Sequence, residues 1–192
     1  LAIEDQAVQV RLCEDDYPGW LRFVDWPWLE PALIPYQASQ LTAAEIEARL
    51  PGAIAFAEAA LATPNHYLWG GTVGPNFDCS GLMQAAFQSV GIWIPRDAYQ
   101  QEAFAEAVPC SAEDLSLLLP GDLVFFGPPA KATHVGLYLG QGTYLHSSGR
   151  DLGRNGIGID WLYFGSNPIS DNYLKLLRGA GRIRCCYVPQ AA

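Results

Sequence analysis

Cys79, His134 and His146 are the side chains whose types and order in this sequence can do chemistry. Cys79 ends a glycine-rich approach, Tyr67-Leu68-Trp69-Gly70-Gly71 and then Phe77-Asp78-Cys79-Ser80-Gly81. It also opens an apolar stripe of helical period through Leu82, Met83, Ala86, Phe87 and Val90, which Gly91 stops. A helix N-terminus and a nearby imidazole both lower a thiol's pKa, so this placement predicts an activated nucleophile. His134 heads the strand-like run Val135-Gly136-Leu137-Tyr138-Leu139, and a turn over 140–142 leads into a second run ending at His146. Such a hairpin puts both imidazoles on adjacent strands. One can accept the thiol proton while the other holds its tautomer.

A single Cys or His more often packs than reacts, and it is the three in this order that favour catalysis. Zinc is the competing chemistry, because one thiolate and two imidazoles can form an open metal shell. No Cys-x-x-Cys or His-Glu-x-x-His supports it, so no metal and no other cofactor is expected. Asp78 immediately precedes the helix and can cap it. Arg96, in Ile94-Pro95-Arg96-Asp97-Ala98, is a candidate for a substrate carboxylate or a brace for Asp97. Cys13, Cys110, Cys185 and Cys186 have no histidine neighbour in sequence and read as buried small hydrophobes. His66 reads as a loop residue, and Trp26 and Trp28 as core or domain interface.

The 192 residues can hold one core, or a core of about 140 residues with a small accessory module. A net charge of −9 opposes non-specific adhesion to nucleic acid, anionic lipid or wall polymers and suits small substrates bearing an ammonium. The longest apolar runs fall well short of the roughly 20 residues a membrane-spanning helix needs. Five cysteines without framework spacing argue for reduced thiols, and Cys185 and Cys186, on opposite faces of a strand, for no vicinal bridge. With no secretory segment in view, the expected compartment is the cytoplasm. The chain does not begin with Met, which leaves a processed or truncated product, periplasmic or wall-associated, as the alternative.

Residues 1–38 read as a small β unit and linker, and 39–192 as the main domain. Ala7 to Cys13 alternates, Glu14-Asp15-Asp16-Tyr17-Pro18-Gly19-Trp20 turns, Leu21 to Val24 returns, and Pro27, Pro31 and Pro35 mark the linker. Thr42-Ala43-Ala44-Glu45 is a capping box for a helix that Pro51-Gly52 should kink or divide and that ends before Pro64. Strands are expected at Asp122–Phe126, His134–Leu139, Gly142–His146, Ile157–Asp160 and Gly181–Val188, with a short helix at Asn172–Leu177. Helices first and antiparallel strands after make an α+β fold of the papain-like kind.

Tyr-x-Trp-Gly-Gly, Asp-Cys-Ser-Gly, Pro120-Gly121-Asp122-Leu123-Val124-Phe125-Phe126, His-Val-Gly-x-Tyr-Leu and the later His together resemble the NlpC-type cell-wall cysteine peptidases. The Asp-Tyr-x-Gly-Trp turn resembles that of bacterial SH3-like barrels, here with its first strands missing. The pairing is similar to γ-D-glutamyl-L-diamino-acid endopeptidases of the cyanobacterial type. That resemblance implies Cys79 as nucleophile, His134 as base and then acid, His146 as orienting group, and Tyr67 lending its hydroxyl near the thiol, although Tyr67 can equally pack beside Trp69. It further implies that Asp78 and Ser80 face the substrate, and that Tyr17, helped by Glu14 or Asp16, captures a free L-Ala amine. The substrates implied are peptidoglycan-derived peptides cut at the γ-D-glutamyl-diaminopimelate bond during wall recycling. A wall amidase or acyltransferase on a related fold, and a non-catalytic wall-binding module, are the alternatives; oligomeric state is not legible.

Overall fold

Thr42 starts the main helix as its sequence requires: its hydroxyl accepts from the Glu45 N–H while the Glu45 carboxylate accepts from the Thr42 N–H. The computed structural model describes residues 2–189, in which this helix, α1, runs unbroken over Ala43–Ala62. Pro51 therefore does not divide it into two. The proline and Glu47, whose carbonyl loses its intrahelical partner, are both exposed, so that carbonyl is open to solvent. Beside it lies α2 (Cys79–Gln88), and α3 (Ala98–Phe104) follows.

A six-stranded sheet carries these helices. It is built from β4 (Glu106–Val108), β5 (Leu123–Phe126), β6 (His134–Gly140), β7 (Thr143–Ser148), β8 (Gly156–Trp161) and β9 (Leu177–Arg182), with α4 (Pro168–Leu174) between the last two. The order is β4-β9-β5-β6-β7-β8 and every pair is antiparallel. Alternation along the strands makes two apolar layers. Leu123, Phe125, Leu137 and Leu145 pack with Ile46, Leu82, Met83 and Phe87 of α1 and α2. Val124, Phe126, Tyr138 and Tyr144 pack on the other face with Tyr173 and Leu174 of α4. This is the papain-like α+β arrangement expected from the helix-then-strand order.

The N-terminal residues form a separate antiparallel sheet of β1 (Ile3–Glu4), β2 (Ala7–Arg11) and β3 (Pro18–Arg22). Asp15 and Asp16, in the β2–β3 turn, fasten it to the main domain. The Asp15 carboxylate accepts from the Gln84 amide of α2 at 2.8 Å, and the Asp16 carboxylate accepts from the Tyr187 hydroxyl at 3.1 Å.

Several expectations change. The last strand lies at Leu177–Arg182 instead of Gly181–Val188, so Cys185 and Cys186 follow the sheet, and all five thiols are free. The short helix starts at Pro168, where Asn167 caps it, instead of at Asn172. Cys13 and Cys185 are exposed, so neither is a buried hydrophobe. Trp26 and Trp28 are 57% and 83% exposed and belong to no core.

Candidate active site

Asp78 builds the start of α2. Its carboxylate accepts from the Gly81 N–H at 2.7 Å, capping the helix, and from the Gly70 N–H at 2.9 Å, pinning the preceding loop. Arg96 completes it with a fork of 2.6 and 3.1 Å to the two carboxylate oxygens and a 2.9 Å bond to the Ser80 hydroxyl. Arg96 is thus a brace, but for Asp78 instead of Asp97. Gly81 is required by the same crowding, because a Cβ there would lie 2.0 Å from the Gly71 carbonyl oxygen. The Asp-Cys-Ser-Gly motif is therefore a rigid mount that presents the Cys79 thiol on the first turn.

The thiol is not activated at rest. Burial, and next the charge of Asp78, push Cys79 up to about 11, while the Val135 and Ser80 backbone N–H groups pull the other way. The sequence expectation of a lowered pKa is overturned because desolvation of the anion outweighs the helix terminus. The Val135 N–H reaching the sulfur brings the start of β6, which His134 opens, up to the nucleophile.

The two histidines meet as the hairpin predicts. His134 Nε2 lies 2.7 Å from His146 Nδ1, and His146 Nε2 lies 2.7 Å from Asp160 Oδ2. Both rings are buried among aromatic neighbours: Tyr173 stacks on His134 at 4.3 Å between ring centres and meets His146 edge-on. Burial, with the neighbouring imidazole, holds His134 well below the usual imidazole range. Burial also lowers His146, against the opposing pull of Asp160. Burial works against the charge of Asp160, yet hydrogen bonds from His146 and Arg154 hold it down to about 2. The facing imidazole nitrogens are committed to each other and do not converge on a metal position.

Asp160, Arg154 and Tyr173 are missing from the sequence reading. One signal was present for Asp160: a lone acid in the apolar strand Ile157-Gly158-Ile159-Asp160, in line to pair with the histidine strand.

A cleft of about 270 Å³ opens over the thiol, lined in part by Tyr17, Tyr67, Asp78, Ser80, Arg96 and Asp97. The structure thus brings the expected Tyr17 of the N-terminal sheet and the expected Tyr67 to the same cavity as Cys79. Burial and the adjacent thiol raise the Tyr67 pKa, so its hydroxyl stays protonated. Glu14 and Asp16 do not line the cleft; Asp16 is held by Tyr187 and Arg11. Asp97, read from sequence only as a partner for Arg96, lies near Tyr17 and raises its pKa after burial does. Both Asp78 oxygens are filled by protein donors and by the Arg96 charge, whereas Asp97 takes part in the capping box of α3 with Gln100 and is the less committed acid at this end.

The stretch that matches known proteins contains Cys79, His134 and His146. Residues 64–168 match the model of the NlpC/P60 family. A γ-D-glutamyl-L-lysine dipeptidyl-peptidase of Bacillus subtilis is 45% identical over 84 residues, which is 42% of this chain and 27% of that protein. A probable endopeptidase of Corynebacterium glutamicum is 41% identical over 101 residues, covering 52% of this chain and 44% of that one. The matched stretch is therefore less than half the length of either relative. The crystal structure of a Bacillus cereus NlpC/P60 family protein superposes with a TM-score of 0.50 and 27% identity over 95% of this chain and 52% of that one. With more than half of its residues matching the family model around this thiol and its histidines, the chain belongs to the NlpC/P60 family.

Proposed function

We propose that this protein is a cysteine endopeptidase that hydrolyses the γ-D-glutamyl-diamino-acid bond of peptidoglycan-derived peptides, with diaminopimelate as the diamino acid. The observation that carries this reading is the buried hydrogen-bonded line from His134 through His146 to Asp160, on a strand whose next residue, Val135, reaches the mounted Cys79 sulfur with its backbone N–H. A non-catalytic binding module has no use for such an arrangement.

In this reading the Cys79 sulfur attacks the γ-carbonyl carbon as its proton passes to His134, and the carbonyl π pair moves onto oxygen. The Cys79 N–H, on the helix's first turn without an intrahelical acceptor, and the Tyr67 hydroxyl stabilise that oxyanion. Collapse breaks the C–N bond. His134 gives its proton to the departing amine and leaves a thioester on Cys79. Water, deprotonated by His134, then releases the γ-carboxylate and restores the thiol.

The substrate end follows from the cleft. Tyr17 and Asp97 line the cleft that holds the thiol, and in this reading the ammonium of the peptide's N-terminus binds against that hydroxyl and carboxylate. A free N-terminal L-Ala supplies that ammonium, whereas L-Ala amide-linked to glycan does not. Peptides already released from the wall are then the substrates, and a recycling role in the cytoplasm goes with them. The N-terminal sheet, read as a relative of the bacterial SH3-like barrel, supplies specificity through Tyr17, as in the endopeptidases of the cyanobacterial type. Mass analysis of products from L-Ala-γ-D-Glu-diaminopimelate and its glycan-linked parent tests this. Release of L-Ala-γ-D-Glu from the free peptide supports the reading; cleavage at a sugar-lactyl amide instead overturns it.

A further inference from the structure

We infer that Asp160, held by Arg154, fixes the direction of the hydrogen bonds through both imidazoles and so leaves His134 Nδ1 as the bare nitrogen that takes the thiol proton. This rests on the proposed roles of Cys79 as nucleophile and His134 as base, but not on which peptide is cut.

Asp160 is completely buried and surrounded by donors. Arg154 Nη2 lies 2.7 Å from Oδ2, the oxygen that also meets His146. Oδ1 receives Asn167 Nδ2 and Ser170 Oγ, each at 3.1 Å. A guanidinium has no acceptor to offer. Asn167 turns its amide nitrogen toward Asp160 because its oxygen caps α4 by accepting from the Ser170 N–H. The Ser170 hydroxyl already accepts from the Trp161 N–H, which frees its own hydrogen for Asp160. Nothing around the carboxylate calls for it to carry a proton, so it is an acceptor toward His146.

The rest is forced by counting hydrogens. His146 Nε2 must be the N–H that donates to Asp160. A neutral imidazole has one N–H, so His146 Nδ1 is an acceptor, and its 2.7 Å neighbour, His134 Nε2, is the donor. His134 then has its lone pair on Nδ1, the nitrogen not engaged with His146. Reversed polarity would place a proton on Nδ1 and leave the thiol without a base. When attack occurs, the S–H bond breaks, an N–H bond forms at Nδ1, and the imidazolium charge is felt through His146 by a carboxylate that stays ionised. Asp160 and Arg154 are thus positioning residues, one and two contacts removed from the catalytic base.

The test is the ¹⁵N spectrum of the histidine ring nitrogens in the intact protein at pH 7.5, assigned with His66→Gln, His134→Gln and His146→Gln variants. The expected wild-type result is hydrogen on Nε2 of both His134 and His146 and none on either Nδ1. In Asp160→Ala a species with hydrogen on His134 Nδ1 should emerge, with kcat lowered on the order of a hundredfold and KM changed less than about threefold. A wild-type proton on His134 Nδ1 overturns the inference without any variant having to fold. An Asp160→Ala protein with unchanged tautomers and kcat within threefold of wild type overturns it too. The spectra need no substrate, so a wrong substrate assignment leaves this result standing and is seen separately in the product analysis.

Discussion

Gly158 has no side chain where the guanidinium of Arg154 crosses β8: a Cβ built there would lie 2.0 Å from Arg154 Nη1. The guanidinium can reach Asp160 only across this gap, and it does so at 2.7 Å. Gly158→Ala places no strain on the backbone, and the long Arg154 side chain can swing away. The unfolding midpoint should fall only by what the Arg154–Asp160 pair contributes, with no added backbone cost. Activity should fall about tenfold in kcat, the equivalent of one lost charge-assisted hydrogen bond of about 1.4 kcal/mol. Paired thermal melts and kinetics check this; unchanged kcat in a well-folded variant would mean that Arg154 does not support the imidazoles.

Burial and Asp78 hold the Cys79 thiol up to about 11, so it should be alkylated slowly at neutral pH. Its iodoacetamide rate should rise with pH well beyond the ordinary thiol range near 8.5, with an inflection on the alkaline side of 9. Peptidase kcat/KM, by contrast, needs neutral His134, whose pKa burial has lowered, so its acid limb should lie below pH 6.5. An alkylation inflection below 7 would indicate a resting thiolate. A chelator should leave the activity unchanged.

Cys79 and the two histidines are legible in the sequence because each is marked by its own segment: a glycine-rich helix start, and two strands joined by a short turn. The capping box of Thr42 and Glu45 is equally local. Asp160 is not, since one acid in an apolar strand acquires meaning only when β8 pairs with β7 and brings it to His146. The Arg96–Asp78 fork spans 18 residues and depends on how the segment after α2 folds back, so the nearer Asp97 looked the better partner. The thiol's raised pKa was hidden for another reason: helix placement shows in sequence, whereas the burial that opposes it is a property of the packed site.

Acid should weaken the fold before most carboxylates titrate. His134 and His146 have folded pKa values below the unfolded value near 6.5, so the unfolded chain binds protons that the folded chain refuses. Their contribution is fully present above pH 6.5 and is lost as pH falls below it, by up to about 1.4 kcal/mol per pH unit for each ring. Asp160, held at about 2, adds a second loss as pH drops from about 4 toward 2. Urea unfolding midpoints at pH 7.5, 6 and 5 should fall steadily in wild type and less steeply in His134→Gln. A flat wild-type profile would contradict neutral burial.

Substrate selection by Tyr17 and Asp97 makes a kinetic prediction. Acetylating the N-terminal amine of L-Ala-γ-D-Glu-diaminopimelate should cut kcat/KM on the order of a hundredfold, because the half-buried Tyr17 and Asp97 are then covered by the peptide without their ammonium partner. Asp97→Asn should narrow that difference. Asp78→Asn is the control with a different outcome: it breaks the Arg96 fork and should lower activity on both peptides alike. Equal initial rates on free and acetylated peptide in wild type would point to intact wall as the substrate.

Covalent catalysis by Cys79 should be visible as an acyl-enzyme in an acid-quenched reaction. Enzyme mixed with excess L-Ala-γ-D-Glu-diaminopimelate, quenched within the first turnover and digested, should contain a thioester-linked L-Ala-γ-D-Glu group on the peptide bearing Cys79. Cys79→Ala should show neither adduct nor product. Product formed by Cys79→Ala within tenfold of the wild-type rate, or an acyl group found on another residue, would rule out Cys79 as the nucleophile.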